Sequence, residues 1–419
     1  EASLQQAIIG LAQNYVGSNN INLLVPNGQF GTRIFQGKDA AAPRYIFTHL
    51  NEIVKTIFKE DDFGILNYLN DEGVSIEPEY YVPILPMILI NGSIGIGTGF
   101  STTIPSYDPR DVVAILFKII DAIKDSDNEF FMHSIIDQIT DIEDPIPFFF
   151  GFRGQIQKVG QNYISKGVYE IVDDNTVRIT ELPVYIATDD YKNLLDKMLV
   201  DGQYLKDYSS HYDDINVGFT LTFQPGMLTD LLNTQVKGES KFETEFKMIN
   251  SRGISTTNMH LYNHEGRIQK YSTVLEIIKE FAKVRVSYYF KRKANLIKQM
   301  EADLLVLSTK SRFINDVITE RVKIMNQKTQ LIKDRLVQLE YPVDLIDMLI
   351  RMPINQLTFE RKQDLEQATE NCGTQLDKLR NTRIQDLWVS ELEAFVAEYG
   401  RYEAQIGRAS CRERVSSPV

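Results

Sequence analysis

Three side chains in one short run have the types and spacing for phosphate chemistry. They are Lys38, Arg44 and Tyr45, within Gly37-Lys38-Asp39-Ala40-Ala41-Ala42-Pro43-Arg44-Tyr45-Ile46-Phe47-Thr48. A phenol ionises only near pH ~10 in water, so its proton must leave as it attacks. Attack on a phosphodiester builds negative charge on the phosphoryl oxygens, which nearby cations stabilise. Arg44 is a permanent cation beside the phenol, and Lys38 is a second one upstream. Arg33 is a further candidate for phosphate contact, although a solvated face explains it equally well. Pro43 removes a backbone donor and pushes Ala42 out of the helical region, so the chain is expected to enter Arg44 extended. In a regular strand Arg44 and Tyr45 would face opposite sides. They can then share one phosphate only if the backbone is irregular, unless Arg44 serves the neighbouring phosphate. The same residues also suit a half-buried strand tyrosine next to a solvated arginine.

The elements that must position this run begin just before and after it. Leu4, Ile8, Leu11 and Tyr15 fall at helical intervals and predict an opening amphipathic helix that stops near Gly17-Ser18-Asn19-Asn20. After the run, Thr48 is placed to cap a helix carrying Leu50, Ile53, Val54, Ile57 and Phe58. Gly92, Gly95, Gly97 and Gly99 then form a glycine-rich loop. No Gly-Lys-Ser/Thr ending is present and Pro105 follows, so a nucleotide loop is disfavoured against a tight turn that lets backbones approach closely.

Residues 106–282 read as mixed α/β. The segment 112–123 is apolar on a helical period, and 154–157, 167–171 and 176–180 read as strands, with Asp174-Asn175 as a turn. A helix over 189–200 and a strand over 216–223 follow. His211, His260 and His264 are scattered, and the last two lack a third ligand at suitable spacing, so surface histidines are expected and no metal site is assigned. From about Tyr271 the character changes. No proline occurs between Pro225 and Pro342, and Ile297, Met300, Leu304, Leu307, Ile314 and Ile318 alternate by three and four. Ser311 interrupts this series, and after Ile318 the rhythm slips by one four-residue step to Val322, Met325, Ile332, Leu336 and Leu339, with Thr329 polar. This predicts one long coiled-coil helix with a stutter, ended by Tyr341-Pro342. A second helix over 359–379 and a third, capped by Asp386 and carrying Leu387, Trp388, Leu392 and Phe395, complete the arm.

Bulk properties set the outer bounds. At 419 residues the chain exceeds one hydrophobic core, and two or three domains are expected. No apolar run is long enough to span a bilayer, and the start lacks secretory features. Two cysteines, Cys372 and Cys411, make neither a disulfide framework nor a metal set. The net charge of −12 speaks against a uniformly basic sleeve for nucleic acid. Charge is uneven, however: 106–150 holds 10 acidic against 3 basic residues, and 283–335 holds 13 basic against 5 acidic. Local potential, not the total, decides whether a polyanion binds.

Several runs taken in order resemble the type IIA DNA topoisomerases of the eukaryotic and large-DNA-virus kind. They are Gly28-Gln29-Phe30-Gly31-Thr32-Arg33, the run ending Pro43-Arg44-Tyr45-Ile46-Phe47-Thr48, and Glu77-Pro78-Glu79-Tyr80-Tyr81-Val82-Pro83-Ile84-Leu85-Pro86. Ile90-Asn91-Gly92, Gly97-Thr98-Gly99-Phe100 and Ile104-Pro105 follow. The resemblance covers residues 1 to about 404 and is strongest in the first quarter. It implies an α+β multidomain fragment, the C-terminal part of a DNA cleavage-rejoining core. A winged-helix domain (1–105) would be followed by a mixed α/β tower domain (106–282). A long antiparallel coiled-coil arm with a small helical gate (283–405) would come last, with the dimer contact over 344–365.

By the same resemblance Tyr45 is the nucleophile that forms a 5′-phosphotyrosine link, with Arg44 as its catalytic partner. Lys38, Arg33 and Ile104 would contact DNA, Ile104 as a wedge between base pairs. An ordinary buried isoleucine before proline explains Ile104 as well. Implied partners are double-stranded DNA and a second copy of the chain, without a membrane. Mg2+ and ATP would be bound outside this fragment, which alone is expected to bind DNA weakly and cut nothing. The implied location is the nucleus, or for a viral source the host nucleus or a cytoplasmic factory. Two alternatives stay open: the A-type chain of a bacterial gyrase or topoisomerase IV, and a non-catalytic coiled-coil DNA scaffold in which Tyr45 is structural. Finally, 406–415 resembles the translation of a widely used sequencing adapter, so 406–419 is expected to be a non-native tail.

Overall fold

Helix positions, strand alternation and turn residues are resolved in a computed structural model. It describes residues 1–416 except Gln161, Lys237 and Gly253, with the backbone alone for 407–416. The chain divides into two units. One comprises residues 1–59, 81–285 and 389–419, and the other residues 60–80 and 286–388.

In the first unit the opening helix runs Ala2–Ala12 and buries Ile9 and Ala12 against Phe30 and Ile46. The expected seam is thus rotated: Leu4 and Leu11 are exposed. Tyr15 lies beyond the helix, where burial and the Asp39 carboxylate push its phenol up. The helix expected over 112–123 is Pro109–Ala122, with Pro109 at its first position and Asp108 accepting from the Arg110 amide at 2.8 Å. It buries Val112, Val113, Ile115, Leu116, Ile119 and Ile120.

The strands read from alternation lie in a four-stranded antiparallel sheet. Its order is Val168–Asp173, Thr176–Glu181, Phe219–Phe223, Leu205–Ser210. Val177, Ile179 and Glu181 face inward while Arg178 and Thr180 face solvent, the period of a half-covered strand. The helix Thr188–Asp201 supplies Tyr191 and Leu195 to the core beneath it. A three-stranded sheet joins Gln155–Val159, Asn162–Lys166 and Ile249–Asn250.

The glycine-rich stretch folds as a hairpin of Ser93–Ile96 with Ser101–Ile104, register Ser93↔Ile104 to Ile96↔Ser101. Gly92 at its base has φ +69, and a Cβ there would lie 2.7 Å from the Ile104 carbonyl oxygen, so the close-approach reading holds. A second hairpin, Met259–Tyr262 with Ile268–Tyr271, flanks the first, and the Thr103 amide donates to the Asn258 carbonyl at 2.9 Å.

The second unit contains the hairpin Tyr68–Asp71 with Val74–Pro78 and most of the arm. The long helix is Val274–Ile318, not one rod to Leu339. The slip read as a stutter is a chain reversal: Glu320 and Asn326 both have φ 58, and Thr329–Gln338 and Val343–Ile350 follow as separate helices. Val322, Ile332 and Leu336, expected on the rod, instead pack with Phe313, Tyr341, Ile346 and Leu349 in a small core. Met325 is exposed.

The helix Phe359–Asn381, capped by Thr358, returns antiparallel. Arg380 pairs with Glu301 at 2.6 Å, and Lys293 donates to the carbonyls of Arg380 and Thr382. The last helix, Ile384–Ser416, starts two residues before Asp386. Asp386 is therefore not its cap; it sits in the first turn and pairs with Arg383 at 3.0 Å. Trp388 is buried against Tyr289. The helical backbone continues through the suspected tail to Ser416, while 417–419 lie outside the described residues. Among the described residues no helix is long and apolar enough to cross a membrane.

Candidate active site

Ala42 has the extended conformation that Pro43 demands, φ −59 and ψ 138. The chain does not stay extended, as the sequence suggested. Pro43–Tyr45 closes a 3-10 turn, with the Tyr45 amide donating to the Ala42 carbonyl at 2.9 Å. That turn resolves the tension between neighbouring side chains, because successive residues no longer alternate across a strand. The Arg44 guanidinium lies 5.0 Å from the Tyr45 ring centroid, within cation–π range. Both side chains are exposed, Tyr45 at 66 %.

The turn is held on both sides. Downstream, Ile46 is buried, and Phe47 exchanges two backbone hydrogen bonds with Asn27, at 3.0 and 3.1 Å. The Val25 amide donates to the His49 carbonyl and the Asn51 amide to the Leu23 carbonyl. This pairing withdraws residues 47–51 from any helix, so Thr48 is not a cap. Its hydroxyl donates to the Val25 carbonyl at 2.9 Å, Leu50 is exposed, and the helix shrinks to Val54–Ile57. Upstream, the Ala41 amide donates to the Gln29 carbonyl at 2.9 Å. Lys38 is exposed on the same segment and has no ion-pair partner among the described residues.

Arg33 and Ile104 do not join this group. Arg33 is 3 % exposed; its guanidinium is ion-paired with Glu181 and donates to the Leu182 carbonyl at 2.9 Å. A buried charge demands such a partner, and no phosphate can reach it. The strand alternation held the signal, since Val177, Ile179 and Glu181 share the inward face and a buried carboxylate calls for a cation.

Ile104 is 1 % exposed at the base of its hairpin and cannot act as a wedge. The most exposed of the large apolar side chains that this hairpin presents is Ile96, 93 % exposed, ahead of Ile94 and Phe100 and directly before the turn closed by the Gly97 amide on the Phe100 carbonyl at 2.7 Å. An isoleucine in front of Gly97-Thr98-Gly99 was visible in the sequence; its exposure followed only from the register.

His260 is half-buried with its ring 5.9 Å from that of Phe100, and His264 bonds Glu280 at 2.7 Å. Among the described residues no group of three or more His, Cys, Asp or Glu side chains is arranged to hold a metal ion.

Residues 1–393 match the family of A-type subunits of DNA gyrase/topoisomerase IV. The chain is 35% identical to DNA topoisomerase 2 of Arabidopsis thaliana, over 98% of this chain and 30% of that protein. It is 32% identical to DNA topoisomerase 2 of Acanthamoeba polyphaga mimivirus, over 95% and 35% respectively. It therefore spans about a third of the length of these curated relatives. Among solved structures, the Plasmodium falciparum topoisomerase II DNA-binding, cleavage and re-ligation domain superposes with a TM-score of 0.83 and 34% identity. That match covers 98% of this chain and 56% of the other.

Proposed function

Because the chain belongs to the family of DNA gyrase/topoisomerase IV A-type subunits, we propose that it is the nucleophile-bearing part of a type II DNA topoisomerase. It cleaves and reseals duplex DNA through Tyr45. The observation that carries this reading is the exposed phenol on a braced 3-10 turn with the Arg44 guanidinium 5.0 Å from its ring.

In the forward step the Tyr45 oxygen attacks phosphorus and the bond to the deoxyribose 3′ oxygen breaks. The phenol gives up its proton, the 3′ oxygen gains one, and the 5′ phosphate stays on Tyr45. One phosphodiester replaces another, so resealing is the same exchange reversed and needs no separate energy source. Arg44 stabilises charge on the phosphoryl oxygens, and exposed Lys38 contacts a phosphate. Ile96 enters between base pairs, where unstacking is offset by the contacts that a bent duplex makes.

Residues 1–105 form the winged-helix part, 106–282 the tower and 283–405 the arm and gate, with 406–419 non-native. Exposed Ile354 and Phe359 support a second copy of the chain docking at 344–365. Magnesium would shield the phosphate from a module outside this chain, and ATP hydrolysis elsewhere in the intact enzyme would drive passage of a second duplex. Its location would be the nucleus or, for a viral source, the host nucleus or a cytoplasmic factory.

The test joins the chain to the remainder of its enzyme and adds supercoiled DNA and magnesium. Protein covalently attached to 5′ DNA ends is expected, and Tyr45→Phe is expected to abolish it while leaving DNA binding nearly intact. Attachment that persists in Tyr45→Phe would overturn the assignment.

A further inference from the structure

We propose that Asp39 is a positioning residue for the Arg44–Tyr45 turn, acting through Gln29; this rests on the reading of Tyr45 as the nucleophile. Asp39 touches neither Arg44 nor Tyr45. Its carboxylate accepts three hydrogen bonds from the segment upstream: the Thr32 amide at 2.8 Å, the Thr32 hydroxyl at 2.6 Å and the Gln29 side-chain amide at 3.1 Å.

Gln29 is the residue whose carbonyl holds the Ala41 amide at 2.9 Å, one step before Ala42 and the turn. A chain of contacts thus runs from Asp39 to Gln29, to Ala41 and into Pro43.

The loop between these points is already pinched. Gly31 and Gly37 have φ +104 and +77, and a Cβ on Gly31 would lie 2.6 Å from the Gly37 Cα. The Gly37 amide donates to the Thr32 carbonyl at 2.9 Å, and the Gln13 side chain donates to the Phe30 carbonyl at 2.9 Å. Arg33 and the Ile34 carbonyl tie the far side of the loop to Glu181 and to the Asp189 amide. Between the Gly37 pinch and the turn, the segment 38–42 is tied by the Lys38 amide to the Phe35 carbonyl at 3.2 Å, next to the pinch, by the Ala41–Gln29 bond, and by the packing of Ala40 and Ala41 on the Ile9, Phe30 and Ile46 cluster. Asp39 is the side chain that doubles the Ala41–Gln29 bond. It therefore sets where Lys38 and the Arg44–Tyr45 pair sit relative to a bound phosphate.

The geometry also fixes what each substitution does. Asp39→Ala removes all three acceptors. Asp39→Asn keeps the Thr32 amide bond through its carbonyl oxygen, and its NH2 can donate to the Thr32 hydroxyl and to a flipped Gln29 amide. The clip thus needs the shape of the side chain, not its charge.

The experiment measures single-turnover formation of the covalent DNA adduct in the intact enzyme, at saturating DNA with magnesium, together with DNA affinity and melting temperature. Asp39→Ala is expected to slow adduct formation by about tenfold or more, the scale of a small misplacement of reacting atoms, with affinity and melting almost unchanged. Asp39→Asn is expected to restore most of the rate. Thr32→Val, which removes the hydroxyl and keeps the amide, should fall between them.

The proposal is overturned if Asp39→Ala reacts like the parent or if Asp39→Asn is as slow as Asp39→Ala. It is also overturned if the whole loss follows weaker DNA binding or melting. Adduct formation in Tyr45→Phe would instead sink the nucleophile assignment itself, whatever the Asp39 variants do.

Discussion

The Arg44 guanidinium stands 5.0 Å from the centre of the Tyr45 ring, although the two residues are consecutive in the chain. The 3-10 turn makes this possible, and it leaves the cation over the ring whose oxygen would carry the DNA phosphate. Arg44→Ala should lower single-turnover cleavage by about 10²–10³-fold, the usual loss of one transition-state donor. Arg44→Lys should recover only part, since an ammonium keeps the charge without the planar fork. A cleavage rate unchanged in Arg44→Ala would remove Arg44 from the mechanism.

Two isoleucines of one hairpin should separate cleanly. Ile96→Ala is expected to reduce the DNA bend, read by fluorescence transfer between the duplex ends, with little change in melting temperature. Ile104→Ala removes a buried side chain and should cost about 2–5 kcal/mol of stability. Equal bending by the Ile96→Ala enzyme and the parent would rule Ile96 out as the wedge.

The buried Arg33–Glu181 pair gives a stability prediction. Glu181→Gln or Arg33→Met alone strands a charge and should destabilise by about 3–5 kcal/mol. The double replacement Arg33→Met with Glu181→Leu should recover much of that loss in thermal unfolding. If the single changes cost nothing, the two side chains are not coupled.

In the arm tip, Lys333 holds the exposed Asp347 carboxyl below the usual carboxylate range through a hydrogen bond and its charge. A depressed folded-state value means that the pair's contribution is present at neutral pH. It is lost as acid takes the solution down through that lowered value. Titration of Asp347 by carbon NMR should show it return toward an ordinary aspartate in Lys333→Ala. An unchanged titration curve would exclude the interaction. Because the pair is exposed, the effect on melting temperature should be small.

Periodicity was most informative where local rules decide. The strand pattern at Thr176–Glu181 and the helix at Pro109–Ala122 follow from alternation and capping. It misled where distant pairing took over. Thr48 has the chemistry of a cap, yet residues 47–51 pair with 23–27, which the local sequence does not encode. Val322 and Leu336 keep a helical phase, yet the chain reverses between them. The same holds for the site. The nature of Tyr45 and Arg44 was legible, but their mutual approach needed the turn. Arg33 and Ile104 were misjudged because burial depends on residues far along the chain.

The reversal after Ile318 has one more effect. Its small apolar core takes Phe313 and Val317 from the end of the rod and is otherwise built from residues 322–357, with Arg312 and Asp316 of the rod bonding Leu339 and Tyr341. The length of the rod is therefore a free dimension. Whole heptads inserted in step, in the rod and in the returning helix paired with it, would leave this cap unaltered, so length and tip chemistry can be varied separately in the same chain.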